Sequence, residues 1–375
     1  MKTVPTFARP RRPFGDPVAA PSPNATFIPP PNTNLQNLNL PLRAVLPTVD
    51  TDAAHDGQIV FHAVGDTGGI HGTVAQDAIA AQMEQQIQTA PANAKPRFFY
   101  HLGDVVYFNG QSKSYATQFY EPYQYYNAPI FAVPGNHDGD TFVRPGDLPD
   151  TEPSLYGFMQ NFCSPHAQNV DPYRKTMTQP YVYWTLEAPF VTIVGLYSNV
   201  DGLLDGHGAY EQQRWLEQQL TAAAPDKFLL ISVHHPPYSL DANHGGSSDI
   251  GDAIDQAAAV SKRWPDAILS GHVHNYQRFT RMAGKKSIPY VVAGSGGYAN
   301  TPLSLHQLQQ NPGSPAIKAP FATTVPGLTL QCYDQADPGF LRFTIDADNL
   351  VGEYFSVPFR GTPPPKPVDS FKVAR

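Results

Sequence analysis

The sequence has few charged residues and no surplus of basic ones. Asp, Glu, Lys and Arg together make up only 15% of the 375 residues, and 25 basic against 32 acidic side chains give a net charge of −7. Because proteins that bind nucleic acid present a basic face, this balance argues against a nucleic-acid partner. A hydrophobic fraction of 41% is nevertheless sufficient for a sizeable core, so the chain is not expected to be disordered as a whole.

Long apolar runs are also missing. No stretch approaches the roughly 18 consecutive apolar residues that a membrane-spanning helix needs. The basic residues Arg9, Arg11 and Arg12 are not followed by the apolar run of a signal peptide. We therefore expect no membrane span, and we expect either a cytoplasmic protein or an exported one whose signal precedes this numbering.

Cysteine is scarce, and several common catalytic motifs are absent. The two cysteines, Cys163 and Cys332, are far apart and form no CxxC motif, which leaves two alternatives open: one disulfide in an exported protein, or two free core thiols. The sequence contains neither a P-loop nor a GxSxG nucleophile elbow with a supporting triad. The glycine-rich stretch 294–297 lacks the helix and the acidic residue that follow a dinucleotide loop.

What the sequence has instead is proline, glycine, tyrosine and histidine. There are 39, 29, 19 and 13 of them, and an acidic chain rich in His and Tyr is more typical of metal ligation than of binding to a polyanion. Eleven of the prolines lie within residues 1–47. Because proline fixes φ and removes a donor from a strand ladder, we predict an extended, proline-rich N-terminal arm over residues 1–50.

From residue 55 onward the pattern becomes that of a folded α/β domain. Apolar runs alternate with helical patterns, which predicts βαβ units and a largely parallel sheet, followed by more antiparallel strands. The predicted strands cover 59–64, 98–102, 130–133, 182–186, 190–196, 228–233, 267–269, 276–281, 290–293, 328–332, 341–345 and 351–355, and the predicted helices cover 74–88, 115–125, 210–223 and 250–264. We predict one catalytic domain over 55–360 with loop-rich insertions at about 139–180 and 296–327, and a C-terminal tail over 361–375.

Five strand-to-loop junctions carry polar residues directly after an apolar strand. They read Gly65-Asp66-Thr67-Gly68, Gly103-Asp104-Val105-Val106-Tyr107, Gly135-Asn136-His137-Asp138, Ile231-Ser232-Val233-His234 and Gly271-His272-Val273-His274. Taken singly, each junction is typical of a turn or a helix cap. Open α/β sheets, however, bind ligands at the carboxyl ends of their strands, so five such junctions in one chain indicate a shared site.

The donors at these junctions are typical of two metal ions. Two carboxylates, one phenolate, one amide oxygen and three imidazoles are too many for one catalytic ion but suit two ions that share a bridging carboxylate. Oxygen-rich donors that include a phenolate favour a hard trivalent ion such as Fe(III). Imidazole-rich donors suit Zn, Fe(II) or Mn(II).

This order of motifs resembles the calcineurin-like metallophosphoesterases, and among them the purple acid phosphatases, over about residues 66–298. The broader superfamily has a metal-binding histidine at the third position of the first motif, where this chain has Gly68. The missing donor is replaced by Tyr107 in Gly-Asp-x-x-Tyr, the substitution that marks purple acid phosphatases. The resemblance implies a sandwich of two mixed β-sheets flanked by helices, with the active site at the carboxyl ends of the strands.

The resemblance also implies a role for each motif residue. Fe(III) would be bound by Asp66, Tyr107 and His274, a divalent ion (Fe(II), Zn or Mn) by Asn136, His234 and His272, and Asp104 would bridge the two. His137 resembles the family histidine that contacts phosphate, and His244 would be the second such residue, although it is displaced by one position. Six further histidines lack a motif and are expected in the core or on the surface, with His101 close to Asp104; they are His62, His71, His101, His166, His207 and His306.

The function that the resemblance implies is that of an acid phosphatase. Its substrate would be a small-molecule phosphate monoester, hydrolysed by attack of a metal-bound hydroxide with an acidic pH optimum. One alternative is a phosphodiesterase or phospholipase C-type hydrolase on the same scaffold, since the two insertions would form the walls of the site. Another is a non-catalytic metal-binding or interaction module, although all seven ligands are present. The resemblance favours a periplasmic or secreted location.

Overall fold

Two mixed β-sheets flanked by helices form the fold, which confirms the predicted class. The computed structural model describes residues 37–143, 152–205, 211–242, 244–309, 317–364 and 366–375. The strands are β1 (Asn39–Pro41), β2 (Gln58–Val64), β3 (Pro96–His101), β4 (Ile130–Ala132), β5 (Trp184–Ala188), β6 (Val191–Leu196), β7 (Phe228–Val233), β8 (Ala267–Ser270), β9 (Tyr276–Ala283), β10 (Lys286–Ala293), β11 (Phe321–Ala322), β12 (Leu328–Asp334), β13 (Gly339–Asp346), β14 (Asn349–Ser356) and β15 (Asp369–Ala374). The α-helices are α1 (Val49–Asp56), α2 (Val74–Thr89), α3 (Asn136–Gly139), α4 (Tyr156–Phe162), α5 (Glu211–Ala222) and α6 (Ser248–Ser261).

Strand pairing changes along the chain from parallel to antiparallel, as predicted. One sheet has the order β1-β5-β6-β7-β8-β10-β9-β12-β11 and the other β15-β14-β13-β2-β3-β4. The pairs β6–β7, β7–β8 and β8–β10 are parallel, and so are β2–β3 and β3–β4. The later strands β9, β12, β13, β14 and β15 pair antiparallel with their neighbours.

The apolar pattern of each strand explains its place in the sandwich. Strands β6 and β7 are buried at every position, because both faces of the inner parallel strands are covered. Strand β14 alternates buried and half-buried residues, which is typical of a strand with one face toward the core. The rings of Tyr100 in β3 and Trp184 in β5 stack with centroids 6.0 Å apart, so residues of both sheets meet in one core.

One predicted helix is replaced by irregular turns. Residues 115–125 read as helical, but the structure has a 3₁₀ turn at Ser112–Ser114 and a π-helical turn at Ala116–Tyr120. The side chain of Gln118 is buried and forms two hydrogen bonds with the main chain of Tyr107. Its Oε1 accepts from the Tyr107 N–H and its Nε2 donates to the Tyr107 carbonyl oxygen, both at 2.9 Å. These tertiary contacts outweigh the local helical preference and tie the segment to the second motif.

The domain limits remain a prediction. The predicted arm, the insertion at 139–180 and the predicted tail each contain some regular structure. The predicted arm lies outside the described residues up to position 36, and its last part forms β1, a 3₁₀ turn at Leu42–Ala44 and the first two residues of α1. The insertion at 139–180 contains α4, while 144–151 within it are outside the described residues. The predicted tail contains β15, the edge strand of the six-stranded sheet.

The structure also resolves the two alternatives for the cysteines. Cys163 is buried and Cys332 is half-buried, and both are free thiols.

In the described ranges, no helix has the length and apolar character that crossing a bilayer requires.

An ion pair between the sheets gives the first testable prediction. Arg278 of β9 donates to both carboxylate oxygens of Asp369 in β15, at 2.6 and 2.8 Å, and Tyr276 Oη donates at 2.7 Å. We expect Asp369→Asn to lower the free energy of unfolding by about 2 kcal/mol at pH 7, because charge-assisted hydrogen bonds are lost. Denaturant titration measures this difference, with Asp226→Asn on the exposed surface as the matched control.

The pH dependence of that difference has a definite sign. Burial raises the pKa of Asp369, but hydrogen bonds from Arg278 and Tyr276 outweigh it and hold the pKa below its ordinary value. The stabilisation is therefore complete above the unfolded-state pKa of about 3.9 and is lost as the pH falls through the folded-state pKa. A difference between wild type and variant that does not shrink below pH 4 would contradict this account of β15.

Candidate metal centre

The five predicted strand-end junctions meet at one edge of the sandwich. Strands β2, β3 and β4 are neighbours in one sheet and β7 and β8 in the other, so both sheets bring the carboxyl ends of parallel strands to the same place. Main-chain hydrogen bonds join the loops: Asp66 N–H donates to Gly103 O at 2.9 Å, and Gly271 N–H donates to His234 O at 3.0 Å. All nine predicted site residues lie here: Asp66, Asp104, Tyr107, Asn136, His137, His234, His244, His272 and His274.

Three of the predicted ligands form a first group, the tyrosine group, made of Asp66, Tyr107 and His274. The phenol oxygen of Tyr107 is 3.2 Å from Asp66 Oδ1 and 3.4 Å from His274 Nε2. His274 Nε2 is in turn 3.4 Å from Asp66 Oδ1. Ligand atoms that share one ion at bond lengths of about 2.1 Å lie about 3 Å or a little more apart, so this spacing is compatible with one ion bound by all three residues.

Three others form a second group, the asparagine group, made of Asn136, His234 and His272. Asn136 Oδ1 lies 3.1 Å from His234 Nε2 and 3.0 Å from His272 Nδ1. Asp104 stands between the groups, because its Oδ2 is 3.4 Å from His234 Nε2, and ligand atoms of Asp66, Asp104 and His234 all lie within 4.8 Å of one another. The structure thus brings the seven residues together in the two sets that the resemblance implies.

The electrostatics of this edge favour a cation. Burial, together with the neighbouring Asp104 carboxylate, raises the pKa of Asp66 to about 8 against the opposing charge of His234. Burial alone would lower the pKa of His234, but the carboxylates of Asp104 and Asp66 outweigh it and raise that pKa to about 9. The buried carboxylates thus favour positive charge at this edge of the sandwich.

The hydrogen-bond pattern of the histidines fits metal ligation as well. His234 Nδ1 lies 2.9 Å from the carbonyl oxygen of Leu102, which only accepts, so Nδ1 carries the proton and Nε2 presents its lone pair to Asn136 and Asp104 when the ring is neutral. His272 Nε2 is buried and has no hydrogen-bond partner among the described residues. A proton on this nitrogen leaves the lone pair on Nδ1, which faces Asn136 Oδ1 at 3.0 Å, so the donor set fits a binuclear centre.

The space around Gly68 is filled by Tyr107 and two other groups. A Cβ atom built on Gly68 would lie 2.9 Å from Cδ2 of Tyr107 and 2.5 Å from Oε1 of Gln118. The main-chain carbonyl oxygen of Val105 lies 2.9 Å from the same position, so three groups exclude a side chain at position 68. The ring of Tyr107 is one of these three groups.

Three motif residues have unusual backbone conformations, and a carboxylate that sequence reasoning did not assign joins two of the motif loops. Asp66, Asp104 and His272 have positive φ angles of 58°, 53° and 68°, each of which costs about 1 kcal/mol or more. The carboxylate of Asp138 accepts hydrogen bonds from the N–H groups of Val105, Val106 and Gly135 and so joins the second and third motifs. The sequence indicated Asp138 only through its position in the third motif, Gly135-Asn136-His137-Asp138.

Both predicted catalytic histidines stand beside the donors. The N–H of His137 donates to Asp104 Oδ1 at 2.8 Å, and its Nδ1 donates to the carbonyl of Phe108 at 2.7 Å, which orients the ring. The ring of His244 lies edge-on to that of His272, with centroids 4.8 Å apart.

Two histidines without a motif also support the site. His101 Nδ1 accepts the N–H of Gly103 at 3.1 Å, next to Asp104 as expected. His306, expected in the core or on the surface, instead stacks on the ring of His274 at 4.3 Å. Nothing in the sequence around position 306 indicated this contact, because a loop with little periodicity carries it.

Metal removal gives the second prediction. A metal ion that binds only the folded protein, at a free concentration of about 1,000 times its Kd, adds about 4 kcal/mol to the free energy of unfolding. Treatment with a chelator should therefore lower the Tm by several degrees, and adding back divalent metal and iron should restore it. An identical Tm in chelated and reloaded protein would contradict the candidate centre.

A two-sheet sandwich with paired donor groups at the carboxyl ends of its strands defines a metallophosphoesterase-type protein, and comparison with known proteins agrees. A model of the calcineurin-like phosphoesterase family matches residues 59–276, more than half of the chain. Tartrate-resistant acid phosphatase type 5 of Mus musculus is 27% identical over 283 residues, which cover 70% of this chain and 79% of that protein. A probable glycerophosphodiester phosphodiesterase of Arcobacter nitrofigilis is 24% identical over 182 residues, 48% of this chain and 57% of that protein.

A solved structure shares the fold. The purple acid phosphatase from yellow lupin (Lupinus luteus) seeds superposes with a TM-score of 0.58 at 20% identity; the match covers 85% of this chain and 54% of the lupin chain. The chain described here therefore belongs to the calcineurin-like phosphoesterase family. Within that family it is purple acid phosphatase-like.

Proposed function

We propose that the protein is a binuclear-metal acid phosphatase that hydrolyses phosphate monoesters. The observation that carries the proposal is the position of the Tyr107 phenol oxygen, 3.2 Å from Asp66 Oδ1 and 3.4 Å from His274 Nε2. A phenol held among a carboxylate and an imidazole is a donor set for Fe(III). The asparagine group, with an amide oxygen and two imidazoles, is a donor set for Fe(II), Zn or Mn, and Asp104 would bridge the two ions.

The chain's own residues would bind and orient the substrate. Metal ions held by the two groups would supply Lewis acidity and an activated water at acidic pH. His137, whose Nδ1 is fixed on Phe108 O, leaves Nε2 to donate a hydrogen bond or a proton to a phosphate oxygen or the leaving alkoxide. His244 would act from the side of His272, where its ring is 93% buried.

A phosphodiesterase is the second candidate. The relative described as a probable glycerophosphodiester phosphodiesterase supports it, although the match covers less than half of this chain. The insertion that carries α4 and the loop after β10 both lie next to motif segments, and their shape decides whether a second ester group fits.

The third prediction separates these candidates. We expect kcat/KM for p-nitrophenyl phosphate to exceed that for bis(p-nitrophenyl) phosphate by at least about tenfold, which is about 1.4 kcal/mol of transition-state discrimination. The rate should peak below pH 7, since a trivalent ion acidifies its bound water more than a divalent ion does. A preference for the bis-ester would favour the second candidate, and a rate that peaks only above pH 8 would contradict an Fe(III) site.

A further inference from the structure

A second cluster of donor side chains lies against the candidate centre. In the part of the chain that the structure describes, two groups of three residues bring one ligand atom each within 4.8 Å of the others. One is Asp66, Asp104 and His234, which belongs to the candidate centre. The other consists of Asp241, His244 and His306, which we call the Asp241 cluster.

The spacing within the Asp241 cluster is that of metal ligands rather than of hydrogen bonds. Asp241 Oδ2 is 3.6 Å from His244 Nδ1 and 3.6 Å from His306 Nδ1. These distances are too long for hydrogen bonds. Two ligands at about 2.0–2.1 Å from a tetrahedral zinc ion lie about 3.4 Å apart, so a small contraction would place a cation among the three atoms.

The protonation pattern of the three side chains suits ligation. His244 is 7% exposed, and its buried Nδ1 faces the cluster and has no hydrogen-bond partner in the described part of the chain. The N–H of His274 donates to His306 Nδ1 at 3.2 Å, so that nitrogen presents its lone pair; a cation would replace this long hydrogen bond. The main-chain N–H of His244 donates to Asp241 Oδ2 at 2.6 Å, which orients the carboxylate between the two imidazoles.

The two loops that carry the cluster are fastened to each other. Asp241 and His244 follow β7, and His306 follows β10. The N–H of Ala242 donates to Gln307 O at 2.9 Å, and the N–H of Gln309 donates to Leu240 O at 2.8 Å. These bonds hold the donors in place before any ion binds, which lowers the cost of assembling a site.

From these observations we propose that the Asp241 cluster is a third metal site, which binds a divalent first-row cation such as Zn²⁺ through two imidazoles and a carboxylate. Three protein ligands leave at least one position for water. The site touches both groups of the candidate centre, since His306 stacks on His274 and His244 lies edge-on to His272. Ligation through Nδ1 leaves the ring proton of His244 on Nε2, so the residue still donates to a phosphate as in the proposed function.

Zinc counting tests the proposal without reference to activity. Full-length protein is freed of metal, loaded with excess Zn²⁺, exchanged into metal-free buffer and analysed for zinc per chain. We expect three zinc ions in the wild type and two in Asp241→Asn and in His306→Gln. His166→Ala, a change at an exposed histidine outside both sites, should retain three. Circular dichroism checks that each variant is folded.

Two results would overturn the proposal. One is a wild-type count of zero at saturating Zn²⁺, which needs no variant and so is unaffected by poor folding. The other is an unchanged count in both folded variants. A failure of the candidate centre is distinguishable, because Asp104→Asn should then leave the zinc count unchanged while Asp241→Asn still removes one ion.

Discussion

Replacing Asp104 by asparagine is expected to reduce phosphomonoester hydrolysis by about 10³-fold. Asp104 Oδ2 is 3.4 Å from His234 Nε2, and Asp104 stands between the tyrosine and asparagine groups, so the change removes the one charge that both proposed ions share. Losing several kcal/mol of electrostatic stabilisation, here about 4, corresponds to about 10³ in rate. Asparagine has the same shape and still accepts the His137 N–H, so the structural change is small.

The measurement is kcat/KM together with the metal content of the same preparation. We expect the candidate centre to lose at least one metal ion per chain, because asparagine keeps the shape of Asp104 but lacks the negative charge that attracts both ions. Asp226→Asn, on the exposed surface, controls for the loss of one negative charge and should behave as the wild type. Wild-type activity in folded Asp104→Asn would contradict the proposal that Asp104 bridges the two metal ions.

Replacing Tyr107 by phenylalanine is expected to abolish the visible absorption of the iron-loaded protein. Burial raises the pKa of Tyr107 well above its ordinary value, and the carboxylates of Asp104 and Asp66 raise it further. The protein alone therefore does not ionise this phenol, and a trivalent ion is needed to do so. Phenolate bound to Fe(III) gives a charge-transfer band, which phenylalanine cannot produce.

A matched control is available in the adjacent ring. Tyr298 stacks on Tyr107 with centroids 3.9 Å apart, so Tyr298→Phe removes a neighbouring hydroxyl and keeps the stacked pair. We expect Tyr298→Phe to retain the band and Tyr107→Phe to lose it, both measured at equal iron content. Retention of the band in Tyr107→Phe would show that another group produces the colour.

The donors of the candidate centre were predictable from sequence because each follows an apolar strand directly. A strand such as β7 has a recognisable run of apolar residues, and parallel strands bring their carboxyl ends to one edge, so His234 could be placed near Asp66 without coordinates. The exchange of a histidine for Gly68 together with the gain of Tyr107 identified the type of centre. In the structure the ring of Tyr107 is one of three groups packed against Gly68.

Features that depend on tertiary contacts were not predictable in this way. The segment around Gln118 has a helical pattern, but its hydrogen bonds to Tyr107 determine an irregular turn. Asp241 and His306 lie in loops without periodicity and are 65 positions apart in the chain, and only the pairing of those loops brings them together. The Asp241 cluster therefore had no signal in the sequence.

The central claim is that the tyrosine group holds Fe(III), and iron analysis with a visible spectrum on one active sample tests it most directly. The account predicts about one iron per chain in the tyrosine group, an absorption band in the visible range that scales with that iron, and hydrolysis of a phosphate monoester by the same preparation. A colourless preparation that contains no iron and hydrolyses the monoester at full rate would contradict it.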